Sequence, residues 1–131
     1  MTRLHLITLL LLSSEPAYAE WVERDRNAGK GTTVYVDQDL IHRNGNLVKM
    51  WELTDYKSAQ TFDADTRYLS EMRQREYDCA EERWRMLALA FFSGQMGNGT
   101  TVYSRAYKNL WAPVFPGSIG RRAWKIACDK Q

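Results

Sequence analysis

The chain has 131 residues, 44% hydrophobic, 26% charged and 12% aromatic, with two cysteines. These values exclude a disordered chain, a collagen, a coiled coil and a multi-domain enzyme, and they fit one small globular domain. Eighteen Lys and Arg against sixteen Asp and Glu give a net charge of +2, too small for a nucleic-acid partner to be expected without basic residues clustered on one face.

The chain opens with the three parts of an export signal. Arg3 supplies a positive start, Leu4 to Leu12 is an apolar run broken only by His5 and Thr8, and Ala17-Tyr18-Ala19 places small residues where a signal peptidase reads. Residues 1–19 are therefore assigned as a signal peptide and 20–131 as the exported domain. Removing the leader takes away Arg3 and Glu15, so the charge balance is unchanged. The apolar run is far shorter than the ~20 residues of a membrane span, and no later stretch approaches that length. Acylation requires a cysteine directly after the cleavage site; position 20 is Glu, so no lipid anchor is expected. The predicted location is the periplasm or the secreted fraction.

Residues 20 to 56 read as strands. Trp21-Val22 opens a short one, Gly31 to Val36 is β-branched and aromatic, and Asn44-Gly45 is a strong hairpin signal. In the arm that follows, Leu47, Trp51 and Leu53 share a face with Lys49, while Val48 and Met50 share the other with Glu52 and Thr54. Neither face is cleanly polar, as expected of a sheet partly covered on both sides. Residues 57–66 are small and polar and read as an exposed loop.

Arg67 to Ser93 is the ambiguous segment. Ala80 to Ala90 is built from good helix formers, with Trp84, Leu87, Ala88 and Phe91 at helical spacing. A reversal at Ala80-Glu81 would instead set Asp78 opposite Arg83 and Glu76 opposite Arg85 on one face, with Tyr77 meeting Trp84 and Arg75 meeting Met86 on the other. Such pairs are what cross-strand stabilisation uses. The residues alone leave helix and hairpin both open.

Ser93 to Gly99 carries three glycines and reads as a hairpin turn leading into a strand at Thr100 to Tyr103. Trp111 to Gly117 is an extended, proline-restricted connector. Ser118 reads as the N-cap of a helix ending near Cys128, with an apolar stripe of Ile119, Ala123, Ile126 and Ala127, Trp124 at its flank, and Arg121, Arg122 and Lys125 outward.

After export the two cysteines, Cys79 and Cys128, face an oxidising compartment, which makes one intramolecular disulfide the expectation. Closing a loop of about 50 residues stabilises by ~4 kcal/mol in the chain-entropy model. A metal site needs more ligands than two distant cysteines and His42 supply, and no Cys-x-x-Cys motif is present.

No catalytic constellation emerges. His42 is the one histidine outside the leader and sits beside a turn; Glu81-Glu82 are adjacent strand residues pointing to opposite faces; Asp63-x-Asp65 lacks the other ligands of a calcium loop. The Gly94 to Gly99 turn lacks the Gly-Lys-Ser/Thr ending of a phosphate loop. No catalytic residue, cofactor or metal is expected. Arg73, Arg75, Arg83 and Arg85 offer a basic patch for an anionic partner, although the hairpin register would give Arg83 and Arg85 acidic partners.

The run Glu76-Tyr77-Asp78-Cys79, the Ser93 to Gly99 turn, and the closing Trp111-Ala112-Pro113-Val114, Pro116-Gly117-Ser118, Trp124 and Ala127-Cys128 together resemble the surface-adhesin protein E family. The Asn44-Gly45 hairpin followed by Trp51-Glu52-Leu53-Thr54-Asp55-Tyr56 is also similar, so the likeness covers nearly all of residues 20–128. The resemblance implies an α+β, mainly β fold: an antiparallel sheet of about six strands with one C-terminal helix tied to it by a Cys79–Cys128 disulfide. It tips Arg67 to Ser93 toward the hairpin. It also implies an exported, non-enzymatic binding module of adhesin type, engaging a protein or envelope component. The alternative is a small periplasmic inhibitor or structural envelope factor.

Overall fold

A computed structural model describes residues 20–129; the assigned signal peptide lies outside the described residues. Eight strands form one antiparallel sheet: β1 (Val22–Asn27), β2 (Thr32–Val36), β3 (His42–Asn44), β4 (Leu47–Thr61), β5 (Arg67–Asp78), β6 (Arg83–Phe92), β7 (Thr101–Ala106) and β8 (Ala112–Pro113). The main order is β1-β2-β4-β5-β6-β7, with β3 added to one end of β4 and β8 to the start of β6. Among the described residues one α-helix, α1 (Ile119–Asp129), follows the last strand.

The hairpin reading of the ambiguous segment is correct, in the register that the charges required. Asp78 faces Arg83, Glu76 faces Arg85, Tyr77 faces Trp84 and Arg75 faces Met86, before a register shift between Gln74 and Arg75. Helix propensity loses because β6 is flanked by β5 and, at its far end, β7, so its backbone bonds and side chains are satisfied laterally. Asp78 closes the turn by accepting the backbone N–H groups of Ala80 and Glu81 at 3.0 and 3.2 Å. At the Asn44-Gly45 turn, Gly45 takes a φ of 62°, a conformation glycine adopts without steric cost.

The predicted loop at 57–66 is shorter in the structure. β4 continues to Thr61 and, beyond a register shift, Gln60 and Thr61 pair with Tyr68 and Arg67. Only the tip turns: Asp63 Oδ1 accepts the N–H groups of Asp65 and Thr66, an Asx turn that needs no further covering. Tyr68 stacks on Phe91, and Phe62 and Tyr103 pack edgewise or tilted around them, anchoring this end of the sheet.

The Ser93 to Gly99 segment is more than an exposed turn. It folds back over the sheet, where Ser70 Oγ donates to Gly94 O and accepts from Gly97 N–H, and Asp55 Oδ1 accepts from Met96 N–H. Gly97 takes a φ of 74°, which favours glycine; a Cβ there would also meet Met72 Cε at 2.6 Å, a flexible side-chain end that would have to move aside.

On the opposite face, α1 lies across the β3 end of the sheet. Ala123 and Ala127 are fully buried and pack with Val36, Val48, Met50 and Tyr77; their small side chains let the helix approach closely. Trp124 Nε1 donates to Asp78 O at 3.0 Å, and Cys128 is disulfide-bonded to Cys79, just beyond β5, with Cα atoms 5.6 Å apart. The face assignment of β4 holds: Val48, Met50 and Glu52 are buried on the helix side. The predicted apolar stripe fails at Ile119, which is 57% exposed, because the first helical turn overhangs the cleft beside β8 rather than the core. Among the outward cations, Arg121 pairs with Glu82 and Arg122 with Asp25.

Candidate functional site

Strand alternation sends the four candidate arginines to different places. Arg83 and Arg85, on β6, point to the face opposite α1; Arg73 and Arg75, on β5, point to the helix side. The single basic patch considered from sequence therefore does not exist as one surface.

On the open face, Arg83 Nε donates to Asp78 Oδ2 at 3.0 Å, and Arg85 donates through Nε and Nη2 to Glu76 Oε1 at 2.9 and 2.6 Å. Trp111 lies against both guanidiniums, each 4.6 Å from its ring. Leu110, next to Trp111 in the chain, is 90% exposed, whereas Arg105, 4.8 Å from the Tyr107 ring, is paired with Leu89 and so points to the helix side with Arg73. The segment from β7 to β8 thus lays Trp111 over two arginines of β6 and presents one exposed leucine beside it. The segment is held at both ends, by Tyr107 N–H on Leu87 O and by Val114 N–H on Glu82 O. Burial opposes ionisation of Asp78, but Arg83 and the two turn N–H groups outweigh it and hold its carboxyl below the ordinary 3.8. Sequence reading missed Trp111 as a partner of these arginines because the contact depends on β8 docking beside β6.

On the helix side, Glu52 is the centre of a buried polar cluster. It accepts from the Tyr77 hydroxyl at 2.8 Å, from Arg24 Nη2 at 3.4 Å and from Arg75 Nη1 at 3.4 Å. Arg24 occupies a register shift in β1, the bulge that turns its side chain inward, and its side chain is only 4% exposed. Arg73 pairs with Glu71, which also accepts from the Tyr56 hydroxyl. Burial, then Glu52, pushes the Tyr77 hydroxyl far above its usual range, so it stays neutral. Nothing in the sequence pattern announces this cluster, since Arg24, Glu52 and Arg75 come from three strands.

Of the other sequence candidates, His42 is exposed on β3, Glu82 is engaged by Arg121, and Asp63 is used by its own turn. No group of His, Cys, Asp and Glu among the described residues is arranged to hold a metal. No helix among them is long and apolar enough to cross a membrane.

The fold is similar to solved structures of Haemophilus influenzae protein E. One has a TM-score of 0.62 at 14% identity, covering 87% of this chain and 87% of that one. Its selenomethionine form gives 0.61 at 14% identity over 88% and 90% of the two chains, and a second crystal form gives 0.59 at 15% over 73% and 80%. No curated protein matches the sequence. The family model for surface-adhesin protein E matches residues 21–129, and the chain belongs to that family.

Proposed function

We propose that this protein is an exported, non-enzymatic binding module that engages a protein or envelope component through the open face at Trp111. Family membership supports an adhesin-like surface protein. The observation that carries the choice of face is the contact of Trp111 with Arg83 and Arg85, 4.6 Å from each, beside the exposed Leu110. Tryptophan and arginine dominate the energetics of protein interfaces, because each combines a large apolar contact area with directed polar groups. Here both arginines already have carboxylate partners, so their charges are largely compensated. The patch therefore suits a partner surface of mixed polarity better than a polyanion.

Cross-linking and capture from intact cells tests the reading. The tagged protein recovers a partner, and Trp111→Ala or Leu110→Ser reduces recovery by about tenfold, as expected for a hot-spot residue. Undiminished recovery with both variants would refute the assignment of this face. Inhibition of a cell-wall hydrolase by the protein would instead support an inhibitor.

A further inference from the structure

The buried cluster around Glu52 is electrically unbalanced. Arg24 and Arg75 share one carboxylate, and adding the neighbouring Arg73–Glu71 pair leaves three guanidiniums against two carboxylates. The Asp25–Arg122 pair nearby is itself balanced. Both contacts to Glu52 are 3.4 Å long, outside the usual range of about 2.7–3.2 Å. The Nε atoms of Arg24 and Arg75 are buried with no hydrogen-bond partner. A surplus positive charge removed from water is costly unless an anion or bound water compensates it.

Arg75 opens into a cleft of about 320 Å³, the space between the sheet and the start of α1. Tyr77 and Trp84 line it from the sheet, with the Arg75 guanidinium 4.9 Å from the Trp84 ring. Pro113 and Phe115 line one side, and Ile119 and Gly120 of the first helical turn the other. That turn contains no acidic residue, and Ser118 Oγ caps the N–H of Arg121, leaving the N–H groups of Ile119 and Gly120 without helical acceptors. Phe115 and Ile119 are 66% and 57% exposed, an apolar rim around a positively charged floor. The volume is at the small end of ligand pockets, which run to about 300–1,000 Å³.

We propose that this cleft binds an apolar group carrying a carboxylate, with the carboxylate on Arg75 toward the helix start and the apolar body between Trp84, Pro113 and Phe115. The carboxylate supplies the negative charge that the cluster lacks. A ligand of aromatic amino-acid size fills the space. Such a group can arrive as a free small acid or as the last residue of a peptide chain, and the two present the same chemistry. This site is separate from the Trp111 face and stands or falls independently of it.

The test uses isotope-labelled protein recovered from the cell envelope, titrated by amide and indole NMR with N-acetyl-phenylalanine, with its amide, and with Gly-Gly-Phe. The acid gives saturable shifts at Ser118 to Gly120 and at the Trp84 indole, and binds at least about tenfold tighter than the amide, as a charge-assisted contact requires. Arg75→Gln leaves the balanced Arg24–Glu52 pair, so the fold survives while the preference for acid over amide disappears. Phe115→Ala, on the exposed rim, weakens acid and amide alike and keeps the preference, which guards against misreading an unfolded Arg75 variant. Tighter binding of Gly-Gly-Phe than of N-acetyl-phenylalanine identifies a chain terminus as the source; equal or weaker binding identifies a free acid. Equal affinity for acid and amide, or shifts confined to the Trp111 face, would overturn the proposal.

Discussion

Arg75 and Arg85 lie on neighbouring strands, each beside a tryptophan and each paired with a glutamate, yet their situations are opposite. Arg75 lies under α1 with a side chain 16% exposed, and it reaches Glu52 through one contact of 3.4 Å that Glu52 divides with Arg24. Arg85 lies on the open face, 35% exposed, and makes two short hydrogen bonds to a Glu76 oxygen that no other arginine is seen to contact. The covered face therefore carries unbalanced charge in a low-dielectric setting, whereas the open face carries balanced pairs stacked on Trp111. The same residue types serve two purposes because the fold controls how many carboxylates and how much water each guanidinium meets.

The largest expected effect concerns the staple that holds the two regions in place. Replacing Cys79 and Cys128 together by Ala should cost ~4 kcal/mol by denaturant titration, since the helix that covers the charged cluster is tied down there. A loss much below 1 kcal/mol would mean that Ala123, Ala127 and Trp124 hold α1 without it.

Glu52→Gln against Glu76→Gln sharpens the contrast directly. The first leaves two guanidiniums without their carboxylate and should cost about 3 kcal/mol, as removing one partner of a buried pair does. The second leaves one guanidinium, 35% exposed, that water can reach; although Glu76 is itself buried, this substitution should cost less, about 2 kcal/mol. Equal losses would erase the distinction between the faces.

The distinction was only partly legible in the sequence. The alternation of Val48, Met50 and Glu52 against Leu47, Lys49 and Trp51 and the charge register of the β5–β6 hairpin are local patterns, and the structure keeps both. The fold-back of Ser93 to Gly99 depends on Ser70 and Asp55, distant in sequence, and the Glu52 cluster depends on a bulge that redirects Arg24. Ile119 matched a helical stripe but fell outside the core, because periodicity reports which residues share a face and not where the sheet ends.

Acid titration separates the faces more gently. Asp78, with its carboxyl held below 3.8, stabilises the fold above that pH and loses this contribution as pH falls through its lower folded value. Thermal melts should decline below about pH 4, and Asp78→Asn should flatten part of that decline while lowering stability at neutral pH. An unchanged acid limb would place the sensitivity elsewhere, with Asp25 as the next candidate, whose carboxyl is also lowered, by its hydrogen bond to Arg122.

Trp111→Ala should have the smallest effect on stability, about 0.5–1 kcal/mol, because exposed cation–π contacts contribute little to folding. Its effect on partner capture should be large by comparison, and that separation is the signature of a contact surface.

The most direct measurement is site-specific photo-cross-linking on intact cells, with a photoreactive side chain at the position of Leu110 and, as a control, at that of Val22. Both positions carry exposed apolar residues, 90% and 54% exposed, but only Leu110 adjoins Trp111. A macromolecular adduct from position 110 and none from position 22 is the predicted result; adducts from position 22 alone, or none from position 110 when capture succeeds, would contradict a Trp111-centred binding face.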